Sequence, residues 1–221
     1  MNSTFAPALM SPPAHPIKLY RTLISGHAHR VELFLSLLGL PFELVDVDLA
    51  AGAHKQPDFL ALNAFGQVPV IRDGDVTLAD SNAILVYLAR RYAADAAQWL
   101  PADPLAAAHV QRWLSVAAGP LAIGPAAARV IQLFKLGVNL QDAIAHSPAL
   151  FKVMEQQLGQ SAFLAGSTPT LADVANYSYV ARAPEGNVSL DAYPKVRAWL
   201  ARVEALPHFL PMVKTPVGLS A

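Results

Sequence analysis

The spacing of hydrophobic positions changes along this chain of 221 residues, and the changes divide it. The first ninety residues mix two periods. Ile17 to Tyr20, led in by Pro16, reads as a short strand. Beyond the loop at Ser25-Gly26, Val31, Phe34, Leu35 and Leu38 recur at helical spacing until Gly39 and Pro41 stop them. Residues 42–49 alternate instead, with Val45, Val47 and Leu49 separated by Asp46 and Asp48, the mark of a half-buried strand. Val68 to Arg72 and Val76 to Leu78 flank Asp73-Gly74, a strong hairpin signal. Asp80-Ser81 then opens a helix with Ile84, Leu85 and Leu88 on one face. The order β-α-β, a crossing segment, then β-β-α predicts a small α/β sandwich rather than a doubly wound sheet.

Residues 93–104 lose periodicity and carry Asp95, Pro101, Asp103 and Pro104, so an inter-domain linker is expected there, between a first domain at 17–92 and a second at 105–221. Everything downstream reads as helix. Thr170-Leu171-Ala172-Asp173 matches a capping box with Asp in the usual Glu place. Tyr193-Pro194 begins a late helix with Val196, Trp199, Leu200 and Val203 inward and Pro207 beyond its end. Met1 to Pro16 is rich in Pro, Ala and Ser and reads as a loose tail without the pattern of a signal peptide.

Composition narrows the possibilities. Sixteen basic and sixteen acidic side chains leave a formal net charge of zero, which argues against nucleic acid as the main partner. Hydrophobic residues make up 54%, enough to bury a core. There is no cysteine, so disulfides, zinc-thiolate centres and cysteine nucleophiles are excluded. The longest uncharged run, Trp113 to Ala128, is interrupted by Gly119-Pro120 and Gly124-Pro125 and falls short of the ~20 apolar residues of a spanning helix. It reads as a buried layer of a helical bundle in a cytoplasmic protein with no membrane partner.

Candidate chemistry is scattered over strand ends and helix starts. A glycine-rich phosphate loop, a serine-hydrolase elbow and a zinc-protease helix are all missing. His27 and His29 form a pair with no third ligand in view, so no metal is expected. Ser25 stands at the mouth of the first helix, where a hydroxyl and free amides favour an anion, and where a serine also serves as a plain N-cap. In Asn63-Ala64-Phe65-Gly66-Gln67-Val68-Pro69 the proline would begin a strand, which suits a cis bond. Asp80-Ser81 offers a carboxylate and a hydroxyl at another helix start, either a cap or a grip on an amino-acid zwitterion.

Together Leu19-Tyr20 with Ser25, Gly52 to Leu60, Gly66-Gln67-Val68-Pro69, Leu78 to Ile84 and the Thr170–Asp173 box resemble the soluble glutathione S-transferases, most of all the serine-type members of theta-like and related bacterial class. The resemblance spans Ile17 to Phe209. It implies a thioredoxin-like first domain, an all-helical second domain, glutathione as co-substrate, a detoxification role and a homodimer. By the same resemblance Ser25 hydrogen-bonds the glutathione sulfur, with Tyr20 or Thr22 as fallback hydroxyls. Val68, ahead of cis Pro69, pairs its backbone with the cysteinyl part. Asp80 and Ser81 hold the γ-glutamyl end, and His54 and Gln67, with Lys55 as a weaker candidate, meet the glycyl carboxylate. Asp80 stands where the family more often has Glu, and the role of His27 stays open.

A thiol of pKa ~8.5 is mostly protonated at neutral pH, and a donor to its charged form lowers that value. The expected reaction is attack of the thiolate on a small hydrophobic electrophile. Leu23 and Ile24 on the Ser25 loop, and Trp113 and Ala117 on the first helix of the second domain, are expected to wall its pocket. Rival readings are a non-catalytic binding or assembly module on the same fold, or another glutathione chemistry: peroxide reduction, dehalogenation, isomerisation or ether cleavage. Disulfide exchange is disfavoured by the lack of cysteine.

Overall fold

The computed structural model describes residues 12–220, so most of the expected N-terminal tail lies outside the described residues. Strand β1 (Ile17–Arg21) leads through a tight turn into α1 (Gly26–Leu37), then β2 (Phe42–Asp46). A 3-10 turn (Ala53–Lys55) and α2 (Pro57–Leu60) fill the crossing segment before β3 (Val70–Asp73), β4 (Val76–Ala79) and α3 (Ser81–Tyr92). The sheet runs β2-β1-β3-β4, with β1 parallel to β2 and the other neighbours antiparallel. Gly74 takes φ 56° at the first place of the two-residue β3–β4 loop, which closes the hairpin with the twist of its strands. This is a thioredoxin-like domain.

Strand alternation gives the sheet two apolar faces. Ile17, Leu19 and Ile71 point to α1 and α3, where Val31, Phe34, Leu35, Ile84, Leu85 and Leu88 are buried. Val70 points the other way and packs with Val47 and with Phe59 of α2. The strand expected over 42–49 ends at Asp46, and Val47 instead turns into that second cluster.

Among the described residues the rest is helical: α4 (Ala96–Trp99), α5 (Pro104–Ala118), α6 (Ala127–Phe134), α7 (Leu140–Ala145), α8 (Ser147–Gln157), α9 (Leu171–Ala181) and α10 (Pro194–Glu204). The expected linker is therefore partly ordered: Asp95 caps α4, whose Trp99 ring packs edge-on to Phe34 at 5.0 Å. The first Gly-Pro pair kinks the apolar run, since Gly119 closes α5 at φ −109° and ψ −100°, but the second does not break it. A π turn over Ala122–Ala126 carries the chain from α5 to α6 as one long helix, because its wider ladder accommodates Pro125. By length and composition Pro104–Phe134 is apolar enough to cross a bilayer, yet Val110, Trp113, Leu114, Ala117 and Leu121 lie in the core and Arg129 is buried against Glu185.

Helix α9 is buried all round and sits at the centre, with Asp173, Asn176 and Ser178 among its sealed side chains. One continuous core runs from Ile17 to Val203, so the two domains share it. The capping box forms as expected, and its acid does more than cap. Asp173 is fully buried and accepts from the amides of Leu164 and Thr170, from the Thr170 hydroxyl, and from the Trp199 indole at 2.8 Å.

Asp173→Ala would leave those amides and the indole without acceptors. At roughly 1–3 kcal/mol for each buried unsatisfied donor, the expected loss is about 3 kcal/mol or more. It would be read as a lower urea midpoint at unchanged m value. Thr170→Ala, which removes only the cap hydroxyl, is expected to cost about 1 kcal/mol.

Candidate active site

A cleft of about 740 Å³ opens where β1, the crossing segment and the β4–α3 junction converge. Ser25, His27, His54, Lys55, Gln67, Val68, Pro69, Asp80 and Ser81 line it. Residues placed at strand ends and helix starts by local signals thus share one wall.

At the centre, Ser25 caps α1: its Oγ accepts from the Ala28 amide at 3.2 Å. Capping uses a lone pair and leaves the hydroxyl proton free to donate. The plain and the chemical readings of this serine are therefore compatible. The first turn of α1 directs amides and positive potential to the same place.

On one side the Val68–Pro69 bond is cis and β3 begins only at Val70. Among the described residues no backbone hydrogen bond engages the Val68 amide or carbonyl outside the ladders. Asn63 holds this turn by donating to the Gln67 carbonyl at 2.8 Å. Gly66, at φ 59°, lies so close to the His54 carbonyl that a Cβ would fall 2.7 Å from it. Lys55 Nζ approaches the Phe65 and Gly66 carbonyls at 3.4 and 3.5 Å, so this end of the cleft is cationic.

The other end is built on Asp80, which caps α3 through Oδ1 to the Ala83 amide at 2.8 Å. Its φ of 69° and ψ of 119° are rare for a residue with a side chain, and such strain is concentrated at ligand-binding positions. Beneath it lies Arg30, 1% exposed, donating to Ser81 Oγ at 3.2 Å and Asn82 Oδ1 at 2.9 Å. Among the described residues its Nε and Nη2 have no hydrogen-bond partner. Burial lowers its pKa to about 10, so the cation persists at neutral pH.

Comparison with known proteins gives the family. The description "Glutathione S-transferase, N-terminal domain" matches residues 15–90, and "Glutathione S-transferase, C-terminal domain" matches residues 141–207. Glutathione S-transferase 3 of Zea mays is 41% identical over 214 residues, covering 88% of this chain and 91% of the relative. The chain belongs to the glutathione S-transferase family. The crystal structure of a glutathione S-transferase from Pseudomonas fluorescens superimposes with a TM-score of 0.84 at 34% identity, over 90% of this chain and 100% of that one. A glutathione transferase homolog from Drosophila mojavensis, solved with bound glutathione, gives 0.79 at 28% identity over 87% and 89%.

Not every expected pocket residue of this transferase meets the cleft. Trp113 and Ala117 are 1% and 0% exposed, on the face of α5 that packs against α9, and Asn176 donates to the Trp113 carbonyl. Their stripe is core, because α9 packs over it. Leu23 is 53% exposed on the Ser25 loop, while Ile24 is half-buried with its carbonyl held by Arg129.

Three contributors escaped the sequence reading: Arg30, Arg129 and Tyr179. Tyr179, on α9, lays its ring over Gly26, where a Cβ would fall 2.7 Å from Cζ, and its hydroxyl faces the Gly26 and His27 amides. A charged residue on the apolar side of a helix was the available signal for the two arginines. Tyr179 left none.

Both histidines of α1 are held neutral. His27 packs edge-on to Tyr179 at 5.0 Å and lies 3.5 Å from Ser81 Oγ; burial, then the charge of Arg30, lowers its pKa to about 3. His29 spends both ring nitrogens on the second domain, at 2.8 Å from Ser178 Oγ and 3.0 Å from the Leu210 carbonyl. Its pKa is lowered to about 4, chiefly by burial, against the opposing pull of that carbonyl. In the unfolded chain both titrate near 6.5.

As pH falls through 6.5, the unfolded chain therefore takes up protons that the folded chain refuses. Stability is expected to fall from pH 6.5 toward 4 by up to about 1.4 kcal/mol per pH unit for each histidine, levelling off below their folded pKa values. Urea midpoints against pH would show it, and His29→Gln should remove about half of the slope.

Proposed function

We propose that this enzyme binds glutathione extended along the cleft and uses the Ser25 hydroxyl to stabilise its thiolate for attack on a small hydrophobic electrophile in the cytoplasm. The observation that carries the reading is the convergence on one wall of a capping hydroxyl with a free proton, an unengaged backbone pair at Val68, a cationic end at Lys55 and a far end that carries both charges, at Asp80 and Arg30. The γ-glutamyl end of glutathione carries both an ammonium and a carboxylate. Asp80 suits the ammonium; Ser81, the α3 amides and the buried Arg30 suit the carboxylate. The glycyl carboxylate matches the His54, Lys55 and Gln67 end. Leu23 offers an apolar wall beside the sulfur, and the long helix tied to its loop by Arg129 presents Ile123, also 53% exposed. No metal has a role in this chemistry.

Ser25 acts by preferring the charged form of the sulfur. A hydrogen bond to a charged group is worth about 1.5–3 kcal/mol, roughly a ten- to hundredfold preference. Ser25→Ala is expected to raise the pKa of the bound thiol by about one to two units, with a matching fall in kcat/KM at neutral pH. Ultraviolet absorbance of the thiolate against pH measures the first. An unchanged titration would transfer the role to Tyr20 or Thr22.

The dimer belongs to the same reading. Phe65 is 80% exposed at the rim of the cleft. A groove between α3 and α5, which shares Asp80 with the cleft, is lined by Leu78, Val86, Leu114 and Ala118 with Asn82, Gln111 and Ser115 at its polar positions. A projecting ring and a largely apolar groove on one chain suit a two-fold contact in which each protomer fills the other. Sedimentation should give twice the chain mass at micromolar concentration, and Phe65→Ala should weaken association by about 2 kcal/mol.

A further inference from the structure

Both ends of the peptide group joining Ile24 to Ser25 are held. The Ser25 amide donates to the Thr22 carbonyl at 3.0 Å, within the loop. The Ile24 carbonyl accepts from Arg129 Nη1 at 2.7 Å, across from the second domain. Arg129 is itself fixed: its Nε donates to Glu185 Oε2 at 2.7 Å, and the two side chains are 1% and 2% exposed. Glu185 also accepts from the Thr215 amide at 3.1 Å and from the Thr215 hydroxyl, with Arg182 Nε at 3.5 Å. Arg182 donates in turn to the Met212 and Val213 carbonyls.

Backbone packing tightens this chain of contacts. A Cβ on Gly186 would fall 2.6 Å from the Arg129 amide nitrogen, and one on Gly218 would fall 2.6 Å from the Glu185 carbonyl. The C-terminal segment 212–218 thus presses on the turn that holds the arginine. A buried ion pair adds little net stability over an apolar pair of the same shape, so stability alone does not explain it. The peptide plane it grips, by contrast, sets the direction in which Ser25 leaves the loop.

We propose that Arg129 is a positioning residue for the active hydroxyl: its guanidinium locks the Ile24–Ser25 peptide group, and Glu185 with the C-terminal segment holds the guanidinium in place. The inference rests on the reading of Ser25 given above. Arg129 touches neither substrate nor sulfur. It acts by holding the hydroxyl where the thiolate forms, so that the second domain and the chain terminus tune chemistry in the first.

The test compares Ser25→Ala, Arg129→Lys, Thr215→Val and the double variant Ser25→Ala/Arg129→Lys. Each is read by thiolate absorbance of bound glutathione against pH and by affinity for S-methylglutathione, which has no thiol to ionise. Arg129→Lys keeps a charge for Glu185 but cannot span both partners. It is expected to raise the thiol pKa by roughly half a unit to one unit while S-methylglutathione affinity stays within about twofold. Thr215→Val, which loosens Glu185 without removing a charge, should shift it less in the same direction, and it serves if the lysine variant does not fold. The double variant should show no shift beyond that of Ser25→Ala. A thiol pKa unmoved in Arg129→Lys and Thr215→Val, with Ser25→Ala still shifting it, would overturn the positioning role and leave the serine role standing. An unmoved pKa in Ser25→Ala would overturn the serine role and this inference with it.

Discussion

The seating of α1 against the second domain is the constraint on which the site depends. Its first turn supplies the amides, the positive potential and the capping Ser25 that face the cleft. That turn is pinned from behind by α9: the Tyr179 ring packs on Gly26, and Ser178 bonds His29. A Cβ at that position would force the ring to shift. Arg129 grips the residue just before the serine. The chemistry thus stands on the first domain while its supports come from residues a hundred or more positions later, which is why one shared core rather than two separate ones serves this chain.

Buried charge recurs around the cleft and needs a reason beyond stability. Arg30 sits under Asp80 and Ser81, and Arg129 sits behind Ser25, both sealed from water. Desolvating a guanidinium is expensive, and its pairing with protein groups seldom exceeds that cost by much. What a planar, permanently charged donor set supplies is direction. Arg30 sends a fixed positive field toward one end of the cleft with two nitrogens still unpartnered, and Arg129 fixes a peptide plane. The histidines of α1 are neutral chiefly because they are buried, and the charge of Arg30 adds to that.

The elements that could be read along the chain are those governed by near neighbours. The first strand, the hairpin at Gly74, the stop of α1 and the Thr170–Asp173 box follow from patterns within a few residues and stand where the spacing put them, whereas the second strand ends at Asp46 rather than Leu49. The same holds for the cleft residues at Ser25, Val68, Pro69, Asp80 and Ser81, because loop ends and helix starts carry their own chemical signatures. Where packing decides, the reading went astray. Gly124-Pro125 promised a break, but a π turn absorbed it, and Trp113 and Ala117 showed a stripe without showing what would cover it.

Local pattern by itself determined the two-part architecture and the order of strands and helices, because hydrophobic period, caps and turn residues act at short range; the family membership that the comparisons bear out came from the resemblance of the motifs, not from the pattern. Tertiary structure alone decided which apolar stripe is core and which is cleft, how α4 orders the linker, and that Arg30, Arg129 and Tyr179 support the site. The physical reason is one of reach. A helix face or a buried guanidinium is completed by a partner 50 to 150 positions away, and until the chain closes nothing in its neighbourhood says what that partner is.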